Sequence, residues 1–209
     1  MKKKVTVAGY LCLDIVPRIC ETADGGGFSF VPGKLQEISG VDMACGGAVA
    51  NTGLALHILG MPVNLAARLG EDIVGMTIKG IISSHGQELT SGLIVDPGHS
   101  SGSTVVLNPP AQDRMFLVNT GANRGFSAGD VSDSALGESA LLHFGYPPLL
   151  EKFYLEGGAM AAALFRRARG HGAAVSLDMS LPDASSPSAG IDWRRWLEKV
   201  LPEVDVFLP

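Results

Sequence analysis

The sequence is poor in several features, and each shortage removes a class of function. It has three cysteines, Cys12, Cys20 and Cys45, an odd count without metal-ligand spacing. That argues against a disulfide framework and fits reduced thiols in the cytoplasm. No apolar run reaches the roughly 18 residues of a spanning helix, so no membrane partner is expected. Positive charge is scarce: 16 Lys and Arg stand against 21 Asp and Glu, a net charge of −5 with a pI near 5.5. The basic clusters Lys2-Lys3-Lys4 and Arg166-Arg167-x-Arg169 read as a solvated terminus and a solvated helix end. No nucleic-acid partner is expected without a basic face. Lys2–Lys4 followed by Val5–Leu13 imitates a signal peptide, but Asp14 interrupts it and no Ala-x-Ala site follows closely. The stretch reads as a first β-strand.

Several catalytic motifs are also missing. Pro32-Gly33-Lys34-Leu35 is not a phosphate loop, because Phe28 stands where a glycine is needed and Leu35 lacks the hydroxyl that holds magnesium. Leu11-Cys12-Leu13-Asp14 follows the first strand in place of a dinucleotide fingerprint. There is no Gly-x-Ser-x-Gly elbow. His57, His85, His99, His143 and His171 have no zinc spacing and read as packed or solvated.

What is present is apolar and glycine-rich. Hydrophobic residues make up 46% and charged residues 18%, too apolar for disorder and suited to strands covered on both faces. The 209 residues suffice for one domain that needs no staple. The 27 glycines and 12 prolines imply many tight turns.

Strands are expected at 5–10, 63–69, 93–95, 103–107, 114–119, 140–144, 173–177 and 204–208. Helices are expected at 46–59, 73–85 with Gly86 as C-cap, within 130–137, at 150–171 weakened by Gly157-Gly158, and at 193–200. The alternation calls for a mostly parallel sheet covered by helices. Two helix-free stretches, about 15–45 and 100–118, interrupt it and would form a small separate β-layer. The first holds Gly25-Gly26-Gly27 and the short segments 28–31 and 35–38.

Ligands of such sheets sit beyond the carboxyl ends of the strands. The residues placed there are Asp14, Gly70-Glu71-Asp72, Gly145-Tyr146 and Asp178. Cys45-Gly46-Gly47-Ala48-Val49-Ala50-Asn51 carries the most information. Its two glycines open a helix and let backbone approach a ligand. Asn51 supplies donors and an acceptor, and with the Asp14 carboxylate it suits neighbouring hydroxyls, as in a sugar or nucleoside. The plainer readings stand beside this: a tight helix start with a solvated Asn51, a helix cap at Asp72, a turn at Asp178.

With Gly46-Gly47-x-x-x-Asn51 and Ala66-Ala67-Arg68-Leu69-Gly70-Glu71-Asp72-x-x-Gly75 the chain resembles the ribokinase-like, PfkB-type carbohydrate kinases. Val7-Ala8-Gly9-Tyr10-x-x-x-Asp14, Thr120-Gly121-Ala122-Asn123 and Leu142-His143-Phe144-Gly145-Tyr146 extend the likeness over essentially the whole chain. The resemblance implies a three-layer α/β/α sandwich, one domain over residues 1–209, with the helix-free stretches as a β-lid. It implies transfer of the γ-phosphoryl group of ATP, with Mg2+, to a sugar hydroxyl, and pairing of two copies through their lids. Asp14, Gly46, Gly47 and Asn51 would hold the acceptor, with Gly145 and Asp178 at the same strand ends.

One part of the family pattern has no counterpart. The family's Asp-Thr-x-Gly-Ala-Gly-Asp segment, which forms the anion hole and carries the catalytic base, is not found in residues 1–209, nor is its Asn-x-x-Glu segment. Asn119–Asn123 and Ser127-Ala128-Gly129-Asp130 are decoys that come too early, with Asp130 read as a helix cap. The base is therefore expected beyond Pro209. Three readings compete: a kinase whose nucleotide part lies outside these residues, a catalytically incomplete homologue that binds sugar or protein, and a Rossmann-like oxidoreductase.

Overall fold

A computed structural model describes residues 4–20, 31–110 and 112–209. Lys2-Lys3, Gly25-Gly26-Gly27 and segment 28–30 lie outside the described residues. The strands are β1 (Lys4–Gly9), β2 (Cys12–Ile19), β3 (Ile38–Gly46), β4 (Val63–Gly70), β5 (Leu93–Asp96), β6 (Ser103–Leu107), β7 (Met115–Asn119), β8 (Ser139–Gly145), β9 (Ala174–Asp178) and β10 (Val206–Leu208). The α-helices are α1 (Gly47–Ile58), α2 (Ile73–His85), α3 (Asp133–Gly137), α4 (Glu151–Tyr154), α5 (Ala159–Gly170) and α6 (Trp193–Val200).

Six strands form one sheet in the order β10-β9-β8-β1-β4-β5, and every neighbouring pair is parallel. Helices on both faces make the three-layer α/β/α architecture expected from the alternation. Val5, Val7, Leu65 and Leu69 pack with Ile78 and Ile82 of α2 on one side. Phe144, Phe165, Leu177 and Trp196 fill the other side, against α5 and α6. Both faces are therefore dry, which explains the runs without alternation in β1 and β4.

The other four strands form a second sheet, β3-β2-β6-β7. In it β2 and β6 run parallel, whereas β3 and β7 are antiparallel to their neighbours. All five residues of β7 are exposed, as are most of β3. Among the described residues, no helix is long and apolar enough to cross a membrane.

Three details differ from the sequence reading. The helix expected over 150–171 is broken into α4 and α5 by a turn in which Glu156, Gly157 and Gly158 have φ of 54°, 59° and 80°. The break makes room for Trp196, which is fully buried and donates through Nε1 to the Phe153 carbonyl at 2.9 Å. A Cβ at Gly158 would lie 2.9 Å from that nitrogen. The last strand begins only at Val206, because Asp205 spends its carboxylate on the Val175 N–H at 2.8 Å. Gly86 follows α2 in an extended conformation (φ 170°), not the left-handed one usual for a C-cap glycine.

Candidate functional site

The turn from β3 into α1 is built by its two glycines. Gly46 is extended, and its Cα lies under the Asp14 carboxylate, so that any side chain there would collide with it. Gly47 has φ +83°, and a Cβ would strike the Tyr10 carbonyl. That carbonyl instead accepts the Val49 N–H at 3.2 Å, while the Tyr10 N–H donates to Gly145 at 3.3 Å. The amino end of α1 is thereby fixed over the carboxyl ends of β1 and β8.

Asp14 lies in β2, beside Ala44 of β3 and Thr104 of β6. The Cys12 thiol donates to its Oδ1 at 3.3 Å. Burial raises the Asp14 carboxyl above its ordinary value, against the lowering effect of the Cys12 and Thr104 hydrogen bonds. Burial, reinforced by Asp14, pushes the Cys12 thiol up to about 12, so it stays a donor.

Asp178 closes β9 opposite Gly145. Gly145 packs on Ala48 of α1, and a Cβ there would lie 3.9 Å from that of Asp178. Burial raises the Asp178 carboxyl as well. His143 Nε2 is 4.0 Å from Asp178 and 3.3 Å from Thr52 Oγ1, and its Nδ1 is 3.1 Å from Ser176 Oγ. Burial lowers the pKa of His143, so the ring is neutral near pH 7 and leaves the Asp178 charge uncompensated.

Tyr146 ties these parts together. It adopts left-handed φ 64°, ψ 50° between Gly145 and Pro147-Pro148, and its N–H donates to the Asp178 carbonyl at 2.9 Å. Its hydroxyl lies near the Asn51 side chain, and Asp178, Cys12 and Asp14 are all within electrostatic reach of it. Asn51 itself is exposed in α1. The structure thus gathers Asp14, Gly46, Gly47, Asn51, Gly145 and Asp178 at one corner. Carboxylates and an amide that converge beside backbone N–H groups can accept from and donate to neighbouring hydroxyls.

A cavity of about 350 Å³ is lined by Phe116, Val118, Arg124, Tyr154 and Ser185. Val118 pairs with Thr104, which pairs with Asp14, so the cavity and Asp14 share one face of the small sheet.

Other candidates are structural. Asp72 caps α2 by accepting from Gly75 N at 2.8 Å, and it also takes the Ser101 N–H at 2.8 Å and hydroxyl at 2.6 Å. Asp130 does not cap α3, whose N-cap is Ser132. It closes a capping box on Ser127 and binds Arg68 in a bidentate pair at 2.9 and 3.0 Å. Asn123, fully buried, staples the Tyr10–Cys12 turn by bonding Leu11 N at 3.1 Å and Leu11 O at 2.9 Å.

Sequence reasoning placed Tyr146 at a strand end without a specific role, read Cys12 as a reduced thiol and His143 as packed or solvated, and did not single out Thr104. For Tyr146 a signal existed: a residue before Pro-Pro is kept from the right-handed helical region, so a special turn follows a strand end there. Among the described residues, no three His, Cys, Asp or Glu side chains cluster to hold a metal ion.

The architecture is ribokinase-like. No protein-family model matches the chain. It is 25% identical over 189 residues to fructokinase-1 of Zea mays, which covers 90% of this chain and 54% of that protein. It superposes on a PfkB protein from Polaromonas sp. JS666 with a TM-score of 0.75 at 18% identity, covering 100% of this chain and 66% of that one. A fructokinase with bound ATP from Xylella fastidiosa gives a TM-score of 0.74 at 21% identity, over 99% and 61%. Arabidopsis thaliana ribokinase complexed with ribose and ATP gives 0.72 at 17%, over 99% and 60%. The chain therefore resembles part of a PfkB-type carbohydrate kinase, and it spans about half the length of the curated relative it matches.

Proposed function

We propose that this chain supplies the acceptor-binding part of a kinase that moves the γ-phosphoryl group of ATP, with Mg2+, to a hydroxyl of a sugar or nucleoside. The observation that carries the reading is the convergence of Asp14, Asn51 and Asp178 around the Gly46-Gly47 helix start at the carboxyl ends of the strands. Asp14 would accept from two acceptor hydroxyls, Asn51 would donate and accept, and the backbone at Gly46-Gly47 would come close to the ring. Such positioning is most of what phosphoryl transfer asks of its acceptor side. The β2-β3-β6-β7 sheet would act as the lid of a single domain over residues 1–209, and the protein would work in the cytoplasm.

We assign the general base outside residues 1–209, on a segment of the Gly-Ala-Gly-Asp type. Asp130, the nearest imitation, is engaged by Arg68 and Ser127 and cannot take an acceptor proton. A coupled ADP-release assay with a panel of sugars and nucleosides tests this. Turnover is expected only when such a segment accompanies the chain. Steady turnover by residues 1–209 that is abolished in Asp178→Asn would place the base inside them. The engagement of Asp130 by Arg68 and Ser127 is equally compatible with a second reading, a homologue that binds sugar or a partner without catalysis. Acceptor binding without turnover in any context would support it.

The lid also suggests assembly. Ile38, Val41 and Met43 of β3 and Leu117 of β7 are exposed apolar groups on a small sheet. Such an edge is stabilised by a covering partner. A homodimer through the lids is expected, and a monomer mass by light scattering at micromolar concentration counts against it.

A further inference from the structure

From the charges around the acceptor corner, we infer that the acceptor is an uncharged polyhydroxyl compound, a free sugar or nucleoside, and that sugar phosphates and sugar acids are rejected. This rests on the sugar-site reading above and sharpens it.

The argument is about which cations can reach the corner. Asp14 lies against Gly46 at the start of α1, and Asp178 lies beside Gly145, which packs on Ala48 of the same helix, so an acceptor beside Tyr146 lies in the field of two carboxylates. The nearest basic ring, His143, is held neutral by burial between Thr52 and Ser176. Cationic side chains on neighbouring elements are engaged elsewhere. Arg18 of β2 forms a two-pronged pair with Asp42 of β3. Arg68 of β4 is held by Asp130 and Asp96. Arg114 stacks 5.7 Å over the Phe116 ring. Arg124 bonds Thr120 Oγ1 at 3.0 Å and faces Glu151 at 3.8 Å. Segment 21–30 contains no Lys, Arg or His in its sequence, so it has no cation to offer. Lys34, exposed on the loop before β3, and Arg114, held only by its ring stack, are the cations in that region for which the structure gives no ion pair among the described residues.

An anionic substituent would thus meet two carboxylates in a partly dry site, where like charges a few ångströms apart repel strongly. A neutral polyol instead offers hydroxyl donors to these same carboxylates. The device is exclusion by an uncompensated field, with no clash required.

Titration calorimetry on the protein with matched probes tests the inference: D-fructose against fructose 6-phosphate, D-ribose against ribose 5-phosphate, and D-glucose against gluconate. The neutral member of at least one pair is expected to bind about ten-fold or more tightly than its anionic partner. The gap should narrow several-fold between low salt and 0.5 M NaCl, as a field effect must. Asp178→Asn should narrow it too, and by improving the anion. Lys34→Ala should leave it unchanged. Tighter binding of a phosphate or acid, lost in Lys34→Ala, would overturn the inference and make the lid loop an anion clamp, while leaving the sugar-site reading intact. A preference that ignores both salt and Asp178→Asn would overturn the field mechanism. Failure of every probe, neutral and anionic alike, would overturn the sugar-site reading itself and the inference with it.

Discussion

Asp14 and Asp178 at the proposed acceptor corner, and Asp130 beside β4, are all partly buried carboxylates, yet their surroundings are opposite. Asp130 meets a bidentate guanidinium and the Ser127 N–H, and these interactions hold its carboxyl below the ordinary range despite burial. Asp14 and Asp178 meet no cation among the described residues, and burial raises both. A carboxylate supplied with its counter-charge by the fold is a structural brace. One left without it keeps accepting capacity that a ligand can use, at some expense to the free protein.

The comparison is broken most severely at Arg68. Its side chain is 22% exposed and that of Asp130 only 9%. Removing one partner of a buried pair leaves the other uncompensated, so Arg68→Ala should destabilise by about 2–4 kcal/mol. A denaturant midpoint checks this, and a loss under about 0.5 kcal/mol would make the brace ornamental.

The converse change is Asp14→Asn. Removing an unpaired buried charge should leave stability within about 1 kcal/mol of the parent or raise it. Acceptor affinity should fall by about 1–3 kcal/mol, some ten- to hundred-fold. Calorimetry with the acceptor, together with a melting curve, reads both. Lost stability with intact affinity would exchange the roles of the two acids.

Much of the fold was legible because its signals are local. β1, β4, β6 and β8 are short apolar runs bounded by glycine or polar turns, and α6 matches its expected span, 193–200, residue for residue. The Gly46-Gly47 start was readable because two glycines before an apolar helix signal close approach. What stayed hidden depends on distant partners. The break between α4 and α5 follows from Trp196, some 40 residues later, needing a place for its ring. The link from Tyr146 to Asn51 and the neutral His143 arise only when α1, β8 and β9 are stacked. The engagement of Asp130 by Arg68 spans 62 positions, and without it Asp130 looks like a simple cap.

The same contrast predicts opposite responses to pH. A carboxyl raised by folding makes the folded state the tighter proton binder. Asp14 and Asp178 therefore contribute stability at low pH that is lost as pH rises from the ordinary value of 3.8 through their folded values. Asp130 is lowered, so its contribution is present above 3.8 and is lost as pH falls through its folded value. Urea midpoints between pH 3 and 7 should show the Asp14→Asn/Asp178→Asn variant without the decline above pH 4. Asp130→Asn should lack the decline below it. Identical profiles for all three proteins would mean that the two environments do not differ.

The smallest effect is expected at Tyr146, where strain and contact can be separated. A non-glycine residue at φ 64°, ψ 50° costs about 1–2 kcal/mol, held here by the Pro147-Pro148 turn and the bond to the Asp178 carbonyl. Tyr146→Phe keeps that strain and removes only the hydroxyl that reaches Asn51. Stability should change by less than about 0.5 kcal/mol, and acceptor affinity should fall by about 0.5–1.5 kcal/mol. Tyr146→Gly relieves the strain, so it should melt no lower than Tyr146→Phe although it gives up ring contacts, and its affinity should be the lower of the two. If Tyr146→Phe binds as the parent does and Tyr146→Gly binds better, the residue is a strained turn and nothing more. The link between Asn51 and the two carboxylates would then carry no energy for the acceptor.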